Sequence, residues 1–205
     1  MFFVQSCSVC NAETENGVFC PVCRRSELLL EAMPGLLNLD GAVMGYKYSG
    51  ALKNMLHKLK FEGESKFLQP LAEEAVFLVQ AYGESSFDMV VSVPTDAARR
   101  KQRGFDIPES IFAGALAVKG TWQPQVLARI KPTAPQYGLA PDKRRSNVRG
   151  CFKVQGDVQN AKILLVDDIL TTGATLDEAA KTLKQAGAKS VYALTMCGSL
   201  ENFKE

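Results

Sequence analysis

The residues of this chain best equipped for chemistry are two adjacent carboxylates followed by three threonines and a glycine. They lie in Val166-Asp167-Asp168-Ile169-Leu170-Thr171-Thr172-Gly173-Ala174-Thr175. Side by side at a strand end, Asp167 and Asp168 repel each other, and a bound cation or hydrogen-bonding ligand would offset that cost. The hydroxyls and backbone N–H groups of Thr171, Thr172, Ala174 and Thr175 lead into a helix N-terminus. There the peptide dipole favours an anion, and Gly173 lets the backbone approach it closely. The dipole contributes only about 0.3–1 kcal/mol at an exposed site, whereas each charge-assisted hydrogen bond contributes roughly 1.5–3 kcal/mol. Direct contacts therefore decide the ligand: a 5′-phosphate in the loop and ribose hydroxyls donating to Asp167 and Asp168 make it a sugar phosphate. The plain alternative, a capped helix with two solvated aspartates, accounts for neither the acidic pair nor the threonines. No G-x-x-x-x-G-K-[ST] or G-x-G-x-x-G occurs, which sets aside a P-loop and a dinucleotide fold.

A second group carries metal chemistry. Cys7-Ser8-Val9-Cys10 and Cys20-Pro21-Val22-Cys23 put four of the six cysteines within the first 23 residues. Two residues between paired cysteines let one short turn aim both sulfurs at a single ion, and two such turns complete a tetrahedral set. Asn16-Gly17 between the pairs is a turn sequence able to return the second pair to the first. Four thiolates leave no position for water, so the ion expected on Cys7, Cys10, Cys20 and Cys23 is a structural zinc. Its binding would also fold a segment too short to bury a core. An iron–sulfur cluster, two disulfides or four unconnected thiols are the alternatives. Cys151 and Cys197 stand alone and read as small buried hydrophobes.

These residues need a scaffold, and the composition describes one. The chain has 205 residues with 24 Lys plus Arg against 22 Asp plus Glu, a net charge of +2, which excludes a whole-surface nucleic-acid binder. A hydrophobic share of 46% with 22% charged residues is that of a globular protein. No apolar run approaches the ~20 residues of a membrane helix. Met1 to Gln5 carries no basic, signal-peptide-like start, so the expected location is cytoplasmic and reducing, with no membrane insertion. The expected division is a four-cysteine module over residues 1–25, a linker with one short helix over 26–40, and one domain over 41–205.

Within that domain, residues 40–48 read as a strand. Leu52, Met55, Leu56 and Leu59 have helical spacing, with His57 as a surface residue beside them, and a longer helix covers 66–81. Strands are expected over 87–93, 125–130, 161–166 and 191–196, and helices over 109–118 and 175–185, the last closed by Gly187. Continuous apolar strands alternating with helices indicate an α/β fold, a doubly wound parallel sheet covered on both faces. Sites in such folds lie beyond the carboxyl ends of the strands, here after Val93 and Val166. Eight of the 24 basic residues fall into two clusters, Arg99-Arg100-Lys101 with Arg103 and Lys143-Arg144-Arg145 with Arg149. The first follows the strand ending at Val93. The second lies in residues 131–150, a stretch long enough for a mobile flap. Val93-Pro94 is open to either peptide isomer.

The loop Val166–Thr175 resembles the phosphoribosyl pyrophosphate (PRPP) loop of type I phosphoribosyltransferases. Together with the amino-terminal cysteines, the chain resembles the ComF family of bacterial competence-associated proteins over nearly its whole length. Arg99, Arg103, Gly104 and Phe105 match that family's R-x-x-x-R-G-F, and Gln136, Leu139, Arg144, Asn147 and Phe152 match its later elements. Lys60 coincides with a lysine common in the family. Where the family usually follows R-G-F with Asn-Gln, this chain has Asp106-Ile107-Pro108. The resemblance implies a type I phosphoribosyltransferase-like, mostly parallel sheet, with Ser92 to Thr95 as pyrophosphate loop. It implies PRPP contacts from Val93, Pro94, Thr95, Arg99, Arg100, Arg144, Asp167, Asp168 and Thr171 to Thr175, with catalytic roles for Asp167, Asp168 and Arg103. It also implies Mg²⁺ carried with PRPP, and single-stranded DNA and a competence helicase as partners. Three functions fit: an active phosphoribosyltransferase of unidentified acceptor, a DNA-uptake accessory protein that keeps the pocket as a sensor, and a zinc docking module displayed on an α/β domain.

Overall fold

A computed structural model of the chain describes residues 5–14, 18–32, 36–83, 86–115, 120–133 and 140–199. The amino-terminal module has two short antiparallel strands, β1 (Gln5–Ser6) and β2 (Glu13–Thr14), then helix α1 (Pro21–Glu27). The turn expected at Asn16-Gly17 lies outside the described residues. The main body follows as β3 (Leu28–Ala32), β4 (Gly41–Lys47), α2 (Gly50–His57) with a π-helical turn over Lys58–Glu62, α3 (Leu68–Ala81), β5 (Met89–Ser92), α4 (Ala97–Arg103) and α5 (Ile107–Phe112). It ends with β6 (Thr121–Trp122), β7 (Leu127–Arg129), α6 (Pro141–Val148), β8 (Phe152–Val154), β9 (Lys162–Leu170), α7 (Ala174–Gln185) and β10 (Ser190–Gly198).

Six strands form one sheet in the order β3-β4-β10-β9-β5-β6, parallel throughout except for the antiparallel edge strand β3. Side chains of β9 alternate between the two faces, as a strand's must. Leu164 and Val166 join Leu56, Leu71, Leu78 and Ile111 on the face covered by α2, α3 and α5. Ile163 and Leu165 join Leu176, Ala180 and Leu183 of α7 on the other. Two apolar faces per strand explain the unbroken apolar runs, and the doubly wound, mostly parallel sheet is the one expected. Among the described residues no helix is long and apolar enough to cross a membrane.

Several local expectations are corrected. Residues 26–40 are not a plain linker: Leu28–Ala32 pairs with β4 through a bulge, Leu28 and Leu30 pack on one core cluster and Leu29 on the other. The three consecutive leucines thus serve both faces of a sheet edge. Strand β7 leaves the main sheet and pairs antiparallel with β8. Helix α4 was hidden by its charge, since Ala97-Ala-Arg-Arg-Lys-Gln-Arg103 has no apolar stripe, and it starts where buried Asp96 accepts the N–H groups of Ala98 and Arg99 at 3.1 and 3.4 Å. The described peptide bonds are all trans, that of Val93–Pro94 included.

Candidate functional site

Strand pairing brings the two predicted site loops together. β5 runs parallel to β9 with Ser92 opposite Val166, and the Val93 N–H donates to the Val166 carbonyl at 2.9 Å. The segment Val93-Pro94-Thr95 therefore leaves the sheet beside Asp167 and Asp168. Contrary to expectation, the two aspartates lie inside a strand, because β9 continues to Leu170. A nine-residue strand paired along most of its length with β10 holds its own end rigid.

The two carboxylates have different surroundings. Asp168 is 6% exposed and accepts from Lys60 Nζ at 2.9 Å, while the Asp168 N–H donates to Asp167 Oδ1 at 2.8 Å. Burial, then the neighbouring Asp168 charge, raises the Asp167 carboxyl well above the usual range, with Lys60 opposing. Burial alone would lower the Lys60 ammonium, but Asp168 reverses that and holds it above its ordinary value. Lys60 comes from the π-helical turn after α2. Sequence spacing gave it no role; the widened helical turn is what points it at the strand end. Across from Asp167 on β10, the fully buried Thr195 hydroxyl has no hydrogen-bond partner among the described residues.

The first basic cluster is sorted by the fold. Arg103 ends α4, half-buried, and burial pulls its guanidinium down while the charge of Asp168 pushes it back up. Arg99 Nη2 donates to the Thr133 carbonyl at 2.8 Å, and Arg100 pairs with Glu109 at 3.7 Å. Two residues to which the sequence assigned no site role shape the loop. Arg129 donates from Nε to the Pro94 carbonyl and from Nη1 to Thr133 Oγ1, both at 3.0 Å. Asp106, buried, accepts the Thr95 N–H at 2.8 Å and that of Glu109 at 3.4 Å. The Asp-Ile-Pro departure thus has a structural use: a capping carboxylate for α5, with proline at its second position, that also holds the pyrophosphate-loop candidate.

Of the second cluster, Lys143, Arg144 and Arg145 lie on α6, which packs against α7, and Arg149 caps that helix; the flap expected over residues 131–150 lies partly outside the described residues. Gln136 and Leu139 fall outside the described residues. Thr171 and Thr172 turn the chain into Gly173, and Ala174 and Thr175 open α7. Gly173 has φ +71°, and a Cβ there would overlap the Leu36 methyl groups. Gly173→Ala should therefore cost about 1–2 kcal/mol for the left-handed backbone alone, measured by denaturant unfolding. Leu36→Ala should relieve the overlap but not that backbone cost.

The four amino-terminal cysteines converge: their sulfurs all lie within 4.8 Å of one another, with Cys10 and Cys20 at 3.6 Å. All six cysteines are free thiols, so no disulfide pairs them. A tetrahedral zinc with bonds of ~2.3 Å sets its sulfurs ~3.8 Å apart, so the set fits. Burial raises the Cys7 thiol but N–H groups of Cys20, Cys10 and Val9 bring it down to about 6; Cys23 is pushed up to about 12 by burial and by the Cys10, Cys20 and Cys7 sulfurs. Four thiols this close cannot all ionise without a cation. The module is not separate from the body. Val18, Phe19, Cys20 and Cys23 share a core cluster with Tyr46, Leu71 and Leu78, and Arg24 makes a bidentate pair with Glu74 at 2.7 and 2.8 Å.

Comparison with known proteins matches the phosphoribosyl transferase domain model over residues 115–203. The chain is 30% identical over 158 residues to the DNA utilization protein YhgH of Salmonella typhimurium, covering 75% of this chain and 70% of that protein. It is 28% identical over 201 residues to the competence protein ComFC of Streptococcus pneumoniae, covering 93% and 86%. Among solved structures, the glutamine phosphoribosylpyrophosphate amidotransferase from B. subtilis complexed with ADP and GMP is similar at a TM-score of 0.46 and 16% identity, over 69% of this chain and 30% of that one.

Proposed function

The chain belongs to the ComF family, and from that premise we propose that it binds PRPP with Mg²⁺ at the carboxyl ends of β5 and β9, as a phosphoribosyltransferase-like protein serving DNA utilization. The observation that carries this is the parallel pairing of β5 with β9, which sets the Thr95 loop beside the Asp167-Asp168 pair and the Thr171–Thr175 cradle. In this reading Asp167 and Asp168 accept from the ribose hydroxyls, and the α7 N-terminus with Thr171, Thr172 and Thr175 holds the 5′-phosphate. The Thr95 loop, held by Asp106 and Arg129, faces the pyrophosphate. Displacement at the anomeric carbon breaks its bond to the pyrophosphate oxygen, the electron pair leaves with pyrophosphate, and an acceptor lone pair makes the new bond. Positive charge builds on the ribose ring on the way, and Arg103 stabilises the departing anion. Mg²⁺ bound with the pyrophosphate would supply further neutralisation of that leaving group. The four cysteines hold zinc as a structural ion.

One observation favours a second reading, a PRPP-sensing accessory protein without turnover that meets single-stranded DNA or a helicase. Arg99 and Arg100 are both engaged by the protein itself, leaving Arg103 as the basic residue of that cluster turned to the acidic pair. Calorimetric titration with PRPP, with and without Mg²⁺, tests the site: Mg²⁺-dependent saturable binding is expected, and no binding in either condition overturns it. Pyrophosphate release across a panel of nucleobases and amines then separates turnover from sensing.

A further inference from the structure

A cavity of about 460 Å³ opens on the flank of α7, between that helix, α6 and the segment that carries Leu36. It touches the phosphate loop only at Ala174 and follows α7 to Lys181, about 10 Å along the helix. Its carboxylates are already engaged. Asp177 accepts from the Asn38 backbone and side-chain N–H groups at 2.8 and 2.9 Å, and Glu178 accepts the Gly150 N–H at 2.8 Å and faces Lys181 at 3.5 Å. Its guanidinium groups are not: Arg145 and Arg149 make no ion pair or hydrogen bond with other described side chains. On the opposite wall, Leu37 is 89% exposed at the mouth, beside Leu36. Asn38 fixes this wall through both oxygens of Asp177, so the leucines are presented rather than loose.

We propose that this cavity is a second ligand site, which takes an organic phosphate of mononucleotide size. Arg145 and Arg149 fork onto the phosphate, supported by Lys181, and the Leu36–Leu37 wall covers the uncharged part. The volume lies in the range of small-molecule sites, about 300–1,000 Å³, and is generous for phosphate alone. The site adjoins the PRPP reading only at Ala174 and uses neither the acidic pair nor the Thr95 loop.

The test is calorimetric titration of the full chain with AMP, ribose 5-phosphate and inorganic phosphate. AMP should bind most tightly, and Arg145→Gln with Arg149→Gln should weaken it about tenfold or more, the loss of charge-assisted contacts. Leu37→Ser should weaken AMP but leave inorganic phosphate unchanged. AMP binding should persist in the Asp167→Asn/Asp168→Asn protein. No saturable AMP binding, equal affinity for AMP and inorganic phosphate, or binding untouched by the arginine changes overturns the proposal. Loss of AMP binding in the aspartate variant overturns it too, because the ligand then sits in the PRPP loop. Failure of PRPP to bind while AMP does would overturn the other reading alone.

Discussion

Asp167→Asn together with Asp168→Asn should abolish detectable PRPP binding in calorimetry while the far-UV circular dichroism stays unchanged. Each carboxylate is assigned to hydroxyls of the ribose, and a charge-assisted hydrogen bond contributes roughly 1.5–3 kcal/mol, so the pair accounts for on the order of a hundredfold in affinity or more. Asparagine keeps the size and one acceptor oxygen, which preserves the acceptor that the Asp168 N–H needs at 2.8 Å. The single changes should differ in stability. The Asp167 carboxyl is raised by burial and by Asp168, so between its unfolded and folded pKa the native state holds the extra proton. Stability then falls as pH rises through that window. Asp167→Asn removes this slope, and the variant should gain on the native protein as the pH is raised from 4 to 8. Asp168→Asn instead strips Lys60 of its partner and should lower stability. Unchanged PRPP affinity in the double variant would remove the ribose assignment, and a parallel pH dependence in Asp167→Asn would remove the electrostatic account.

What the sequence made legible follows from how local each signal is. The Val166–Thr175 loop was readable because its carboxylates, glycine and threonines are contiguous, and the cysteines because each pair closes in one turn. Fold class followed from apolar runs. The strand β3 was not legible, because Leu28-Leu29-Leu30 has neither a strand's alternation nor a helix's period until both faces of the sheet edge are known. Arg129 was missed, and Lys60 and Asp106 were marked by the resemblance without their partners, for a related reason. Lys60 and Arg129 reach the site over long spans of chain, Lys60 to Asp168 being 108 residues apart and Arg129 to Pro94 35, and no local pattern encodes such a partner; Asp106 meets the Thr95 N–H across a nearer turn, a contact that only the folded loop defines. The Asp-Ile-Pro departure stood beside the expected pyrophosphate loop, and the fold turns it into the acceptor for the Thr95 N–H.

Arg24→Ala should destabilise the whole protein by about 3–5 kcal/mol in denaturant unfolding, as removal of one partner from a buried pair does. Glu74 is 0% exposed in the middle of α3, and its oxygens accept from Arg24 Nε and Nη2 and from the Tyr46 hydroxyl at 3.0 Å. Without the guanidinium, the buried carboxylate loses its bidentate cation, while the Tyr46 hydroxyl donates as a neutral group. Burial and the Glu74 charge push the Tyr46 phenol up, which keeps it a neutral O–H donor that cannot replace the lost positive charge. The control is Arg24→Leu with Glu74→Leu, which removes both charges and should recover most of the loss; a double variant as unstable as Arg24→Ala would show that packing, not charge, holds the contact. The position of Arg24, directly after Cys23 on α1, ties this pair to the proposed zinc site. Chelation or Cys7→Ser should release about one zinc per chain and free α1, and with it the guanidinium. The two losses should then be non-additive: Arg24→Ala in the metal-free protein should cost far less than in the metal-loaded one. Equal costs in both states would mean that the cysteine module and the sheet fold independently, despite the core cluster they share.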